Sequence, residues 1–253
     1  MYFDTHAHYD DSAFDDDRNL LLPALHKGGV DRIIDPGCSI TSSFAAQKLS
    51  QEYDFVYFAA GVHPEDLENL PDDWLHEIDI LAHDEKCVAI GEIGLDYYWR
   101  SDNKEEQKKV FRAQMALAAD LEKPVILHDR EAHGDCLEMI RAFGYHRGVF
   151  HCFSGSAEMA EELLRLGWHL GFDGPITYKN AKKALEVLQI TPCDRILIET
   201  DSPYLSPVPM RGKRNDSSNL SYVTEKIAEL KGMTAEEIAA MTAANAKRLF
   251  NLS

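Results

Sequence analysis

The sequence has no run of about 18 apolar residues, so no segment reads as a membrane-spanning helix. It also has no Cys-x-x-Cys pair. The five cysteines, Cys38, Cys87, Cys136, Cys152 and Cys193, are scattered. That argues against a disulfide framework and for reduced thiols in a cytoplasmic protein. Cys152 stands next to His151, but strand alternation should turn it away from the face that His151 uses. Positive charge is scarce: 26 Lys+Arg against 43 Asp+Glu leave a net charge of −17. Such a surface repels polyanions at long range and excludes a non-specific nucleic-acid coat protein. An enzyme acting on nucleic acid stays open, because bound divalent cations reverse the local field. No basic stretch precedes the apolar start, so no secretory signal is expected. Nor is there a low-complexity linker or a break in composition. Residues 1–253 are therefore expected to form one hydrolase-sized domain.

What is present is a repeated unit. Strand-like runs lie near Phe3–Thr5, Arg32–Asp35, Val56–Gly61, Val88–Gly91, Val125–Leu127, Gly148–Phe150, His169–Phe172 and Ile196–Glu199. Most are short, continuous and apolar, as strands buried on both faces are. Helical periodicity fills the gaps. Trp74, Ile78 and Leu81 share a face after Pro71, which suits a first helical turn. Val110, Gln114, Leu117 and Leu121 mark another helix, and Val223, Ile227 and Leu230 a third. Thr234 with Glu237 reads as a capping box. The acid run Asp15–Asp17 reads as a solvated helix start. The expected fold is α/β: a (β/α)8 TIM-like barrel of parallel strands with its active site at the C-terminal rim.

The chemistry sits where the strands end. His6 and His8 follow the first strand, Glu92 the fourth, His128 the fifth, His151 the sixth and Asp201 the eighth. His6 and His8 are two apart and share a face, so both can reach one ion. Six such groups on one rim are costly to bury without cations between them. Glu92 can offer one oxygen to each of two ions. The expected set is His6, His8, Glu92 and Asp201 around one metal, and Glu92, His128 and His151 around the other. Two cations about 3.5–4 Å apart lower the pKa of a shared water and stabilise an in-line displacement. Asp201 and Glu92 are the catalytic candidates, with Asp201 able to take the proton of that water. Nitrogen and oxygen ligands without sulfur suit Zn²⁺, Mn²⁺ or Mg²⁺. No organic cofactor is expected.

Three further groups read as substrate contacts. His63 in Gly61-Val62-His63-Pro64 closes the third strand on the same rim and is expected to face substrate. Arg211, in Met210-Arg211-Gly212-Lys213-Arg214, begins a basic cluster that fits a phosphate clamp and is its best two-pronged contact. Tyr97, Tyr98 and Trp99 follow Glu92 and could stack on bases. His26, His76, His83, His133, His146 and His169 read as ordinary surface or partly buried imidazoles.

Taken together these residues resemble the TatD family of metal-dependent deoxyribonucleases. The likeness covers nearly the whole chain, from D-T-H-A-H at the start and G-V-H-P at Gly61–Pro64 to G-E-I-G-L-D-Y-Y at Gly91–Tyr98. It continues through P-V-I-L-H at Pro124–His128, H-C-F-S-G at His151–Gly155, E-T-D-S-P-Y-L at Glu199–Leu205 and N-A-K-R-L-F at Asn245–Phe250. The resemblance implies a TIM-like barrel, two divalent metals, and hydrolysis of DNA, often with 3′-to-5′ exonuclease polarity. Its metal positions fall on His6, His8, Glu92, His128, His151 and Asp201. One departure stands out: after R-G-K-R-N the family continues Glu-Pro, and here the chain reads Asn215-Asp216-Ser217-Ser218, which predicts a more mobile or reshaped loop.

The leading expectation is thus a metal-dependent phosphodiester hydrolase acting on DNA single strands or ends. The alternative is an amidohydrolase or esterase on the same barrel. Glu92 at the bridging position, where many amidohydrolases use a carboxylated lysine, and the Arg211–Arg214 cations disfavour it.

Overall fold

The doubly buried apolar runs do become strands. The computed structural model describes residues 1–68 and 70–253. Its strands are β1 (Tyr2–Asp4), β2 (Val30–Pro36), β3 (Val56–Ala60), β4 (Cys87–Asp96), β5 (Val125–Arg130), β6 (Gly148–Phe150), β7 (His169–Phe172) and β8 (Ile196–Ile198). They pair in parallel in chain order, β1 through β8. Helices α1 (Arg18–Lys27), α2 (Ile40–Glu52), α3 (Trp74–Ala82), α4 (Lys104–Asp120), α5 (His133–Phe143), α6 (Ala157–Leu166) and α7 (Lys182–Ile190) follow the first seven strands in turn. Two helices, α8 (Leu220–Lys231) and α9 (Ala235–Leu249), follow the eighth. This is the expected (β/α)8 barrel. No helix among the described residues is long and apolar enough to cross a membrane.

The barrel interior is divided along its axis. Phe3, Ile34, Ala59, Ile126 and Leu197 fill the lower part, and Ala246, Leu249 and Phe250 from the chain's end pack against them. Asn245 fastens α9 there by donating to the carbonyls of Cys193 (2.7 Å) and Ile196 (2.9 Å). With an apolar plug at one mouth, polar side chains collect at the other.

The seam between β1 and β8 is closed mainly by the residues beyond the strands. Thr5 N donates to Ile198 O (3.2 Å), Asp201 N to His6 O (2.9 Å) and His8 N to Ser202 O (2.8 Å). Beneath them lies fully buried Asp4, which accepts from Thr200 N (3.0 Å), Thr200 Oγ1 (2.6 Å) and Ser217 Oγ (2.6 Å). Burial pushes the Asp4 carboxyl up to about 7, against the pull of the Ser217 and Thr200 hydrogen bonds.

Several local expectations need correction. The loop at Asn215–Ser218 is not loose. Asn215 is buried and donates Nδ2 to Thr200 O (2.8 Å) and Tyr204 O (2.7 Å), while Ser217 ties the loop to Asp4 and to Tyr9. Asp15–Asp17 do lead into α1, with the partly exposed Asp17 at its N-cap, but Asp17 also takes two hydrogen bonds from Arg214, at 2.8 and 2.6 Å, which draws that arginine out of the expected phosphate clamp. Pro71 stands before α3, its carbonyl accepting from Trp74 N (3.1 Å), and not in the first turn. The Thr234–Glu237 capping box is present in both directions.

Ser217→Ala should leave Asp4 and the Tyr9 hydroxyl short of a buried partner. The expected loss is about 1–3 kcal/mol of stability, read as a lower urea midpoint with an unchanged slope. A midpoint equal to wild type would show that the seam does not depend on this hydroxyl.

Candidate metal centre

Glu92 is the hub of the rim. Its Oε2 lies 3.2 Å from His6 Nε2 and 3.7 Å from His8 Nε2. Its Oε1 lies 2.8 Å from His128 Nδ1, 2.9 Å from His151 Nε2 and 3.5 Å from His63 Nε2. One buried carboxylate thus faces five imidazoles. Asp201 Oδ1 completes one side, 3.4 Å from His8 Nε2 and 3.6 Å from His6 Nε2. All six residues expected as metal ligands are therefore brought together.

The backbone allows this through close approaches. Gly94, at a φ of 147°, packs so tightly on β5 that a Cβ would stand 1.9 Å from His128 O. A side chain at Gly171 would collide with the Glu199 carboxylate at 2.5 Å. The β4–β5 register also shifts between Ile90 and Ile93. Such an irregularity re-aims a side chain, and Glu92 lies inside it.

Two supporting carboxylates were not anticipated. Asp96 Oδ2 lies 3.0 Å from His128 Nε2, while its Oδ1 accepts from Tyr98 N (2.9 Å) and Trp99 N (2.8 Å). Glu199, fully buried, has Oε1 3.6 Å from His151 Nδ1 and also accepts from Cys152 N. Carboxylates behind metal-binding imidazoles fix the ring orientation. Strand parity could have found Asp96, which shares a face of β4 with Glu92 and Gly94, whereas Glu199 lies past the end of β8, two residues before Asp201 at a φ of 55°, where alternation does not set direction.

The substrate candidates fare unequally. His63 is buried among the ligands, edge-on to His128 with ring centroids 4.3 Å apart, and joins Glu92 and His128 in a set that could hold an ion. Tyr97 is committed to packing: its hydroxyl donates to Asp135 (2.6 Å) and Lys104 covers its ring. Tyr98 and Trp99 are more than half exposed, with the Arg130 guanidinium 4.3 and 5.5 Å from their rings. Arg211 is exposed and lies 4.2 Å over the Tyr178 ring. Cys152 joins none of the possible ligand sets among the described residues. It lies past the end of β6, at a φ of 41°, so loop geometry and not strand alternation sets its direction.

The electrostatics favour charge separation across the hub. Burial alone would raise Glu92, but His151, His6 and His63 hold it well below the usual carboxylate range. Burial opposes protonation of His151, yet Glu92 and Glu199 raise it well above an ordinary imidazole. His128 is raised against burial by Asp96 and Glu92. Burial and then His151 lower His6. Asp201 is lowered against burial, first by its hydrogen bond to His8.

These residues fit divalent cations. His6 Nε2 and His8 Nε2 stand 3.1 Å apart, and His128 Nδ1 and His151 Nε2 stand 3.3 Å apart. Ring nitrogens facing one another that closely, beside carboxylates with no donor of their own, are lone pairs converging on a common point. A proton can serve one pair at a time; a cation serves all.

Comparisons with known proteins agree. A family model described as "TatD related DNase" matches residues 3–251. An uncharacterized metal-dependent hydrolase of Bacillus subtilis is 46% identical over 255 residues, covering 100% of both chains. A 3′-5′ ssDNA/RNA exonuclease TatD of Erwinia tasmaniensis is 34% identical over 258 residues, covering 99% of this chain and 100% of its own. Among solved structures, a TatD homolog from Escherichia coli K12 superposes with a TM-score of 0.94 at 32% identity, covering 100% of this chain and 98% of that one.

Metal must displace protons from the raised histidines. Lowering the pH from about 8 to about 5, across the ordinary imidazole value, should therefore weaken Mn²⁺ or Zn²⁺ binding. Calorimetry in buffers of different ionisation enthalpy should register proton release. In chelator the sign is set by the same groups: protonation of His128 and His151 stabilises the fold fully below about 6.5 and is lost as the pH rises through their raised values. Affinity independent of pH, with no proton released, would contradict this assignment.

Proposed function

Because the chain belongs to the TatD related DNase family, we propose that it is a divalent-metal-dependent phosphodiester hydrolase acting on DNA, at single strands or ends, with 3′-to-5′ exonuclease polarity. The convergence of five imidazoles and Asp201 on Glu92 carries the reading. The name of the Erwinia relative, a 3′-5′ ssDNA/RNA exonuclease, supports the polarity and the single-stranded substrate. His6, His8, Glu92 and Asp201 would hold one ion; Glu92, His128 and His151 would hold the other. Zn²⁺, Mn²⁺ and Mg²⁺ are the candidates. Bound there, such ions acidify a water and take up charge developing on phosphate oxygens.

The chain's own groups do the rest. Asp201, kept ionised and with a side chain 14% exposed where Glu92's is 4%, is the acceptor for the proton of the attacking water. Glu92 is too enclosed by imidazoles for that work and instead spaces the two halves of the site. Asp96 holds His128 in place by a hydrogen bond, and the Glu199 carboxylate lies behind His151 at 3.6 Å. His63, Arg211, Tyr98 and Trp99 are the groups left to meet substrate: His63 at the reacting phosphate, Arg211 at a neighbouring one, and the two aromatics against unstacked bases. A rim admits a strand end more readily than the middle of a stiff duplex. Incubating the protein and Mn²⁺ with labelled single-stranded DNA and, separately, with a panel of amides and esters tests the reading. Cleavage of the panel and not of DNA would replace it with the amidohydrolase alternative.

Asp201→Asn preserves shape and removes the proton acceptor. Turnover on DNA should fall by roughly 10²–10⁴, whereas His26→Ala, on the exposed face of α1, should change little. Equal losses in two well-folded variants would refute the role of Asp201.

Arg211 is tested by salt. Activity should decline as salt is added, and the slope should be shallower by about one unit in Arg211→Ala if one phosphate contact is lost. Arg211→Lys should remain impaired, because an ammonium cannot copy the two-pronged contact. Unchanged cleavage and salt slope in Arg211→Ala would leave recognition to His63, Tyr98 and Trp99.

A further inference from the structure

Next to the catalytic rim lies a second, separate concentration of acid. Alternation along β2 sends Ile34 into the barrel interior and Ile33 into the layer beneath α1 and α2, so Asp35 points into that outer layer. It is fully buried, and neither of its carboxylate oxygens has a hydrogen-bond partner among the described residues. Asp10 and His8 bring potential ligand atoms to within 4.8 Å of it and of each other.

The nearby cations are committed elsewhere. Arg18 donates to the main-chain carbonyls of Tyr9, Asp10 and Asp11 and pairs with the Asp15 carboxylate. Lys48 is largely exposed and lies 4.0 Å from Glu52. Two carboxylates that share an enclosed space without a donor are strongly unfavourable unless something positive lies between them.

We propose that Asp10 and Asp35 hold a further divalent cation, distinct from the two at Glu92. The donors are carboxylate oxygens, which select a hard ion, Mg²⁺ or Mn²⁺. Magnesium keeps several of its waters and needs only one or two carboxylates from protein. There is room for that shell: Asp10 is only partly buried and opens on a surface cavity of about 360 Å³ lined also by Arg18, Lys48 and Glu52. The ion fastens the tail of β1 to the end of β2. Because Asp10 lies two residues past His8, it also fixes the approach of His8 to the catalytic pair. A proton shared by the two acids is the competing arrangement, and it makes opposite predictions.

The inference does not depend on what the enzyme cleaves. Equilibrium dialysis of the whole protein at fixed free Mn²⁺, with elemental analysis, should count three ions in wild type and two in Asp35→Asn. Asp10→Asn, at a more exposed position, should lose the same ion and guards against misfolding of the first variant. Added Mn²⁺ should raise the melting temperature of wild type more than that of either variant. A count of two in wild type, or three retained in both variants, overturns the proposal. So does equal Mn²⁺ binding with a higher melting temperature for Asp35→Asn in chelator, the signature of a shared proton. Failure to cleave DNA with three ions present would instead sink the nuclease reading alone.

Discussion

One contact organises this molecule: the carboxylate of Glu92 set among the ring nitrogens of five histidines. A buried anion is tolerable only when surrounded by positive or hydrogen-donating groups, and no lysine or arginine is among the fully buried polar residues described. Imidazoles and whatever they bind must therefore do the work. His6 and His8 approach from the β1 tail, His63 from beyond β3, His128 from β5 and His151 from beyond β6. Only a closed barrel delivers chain segments from so many directions to one point, and Glu92, on the long fourth strand, reaches their common centre. The close packing at Gly94 and the register shift around Glu92 are the local consequences of bringing β4 and β5 to that point.

The same constraint explains the rest of the rim. Asp4, Asp35, Glu92, Asp96, Asp173 and Glu199 are all buried at or beside it, more carboxylates than the five imidazoles alone can satisfy. Asp4 is relieved by donors from Thr200 and Ser217, and Asp96 by two backbone amides and His128. Glu92 has histidines and the weak Cys38 thiol donor at 3.8 Å, Asp201 has histidines, and Asp35 has no hydrogen-bond partner among the described residues. The carboxylates therefore fall into those met by main-chain and hydroxyl donors and those that face mainly imidazoles or one another, the latter being the ones suited to a cation. The apolar plug of Leu249 and Phe250 at the opposite mouth keeps this polar layer at one end.

Much of this was legible in the chain because a buried strand ending in an acid or histidine is a local signal. His6, His8, Glu92, His128, His151 and Asp201 all follow such runs, and parallel order puts them on one rim. What was not legible depended on pairing between distant segments. Arg214 looks like part of a basic cluster until Asp17, nearly two hundred residues earlier, takes it. Ser217 looks like a loop-loosening change until Asp4 accepts its hydroxyl. Asp35 reads as the end of an ordinary strand, because the absence of a donor around a side chain is a property of the packed structure and leaves no mark on spacing. Asp96 lies between these cases: its parity matches that of Glu92, but its role shows only once His128 is seen in front of it, and Glu199 shows only once His151 is seen beside it.

For the proposed polyanionic substrate, a protein of net charge −17 needs its attraction to be local. At a Debye length of about 8 Å, the distant acids of the helices are largely screened from a strand already at the rim, whereas divalent ions within it are not. The exposed groups beside the rim match that requirement. Arg211 is held over Tyr178 and Arg130 over Tyr98 and Trp99, each guanidinium close to a ring and not spent in an acid pair among the described contacts. Cation and aromatic face together suit a nucleotide, which presents a phosphate and a flat base within one residue. Asp96 links this surface to the chemistry: one of its oxygens holds the amides of Tyr98 and Trp99, and the other holds His128. Under the proposed reading, a base on that platform would be positioned by the same carboxylate that orients His128, so gripping a strand and aligning its phosphate would be one structural event.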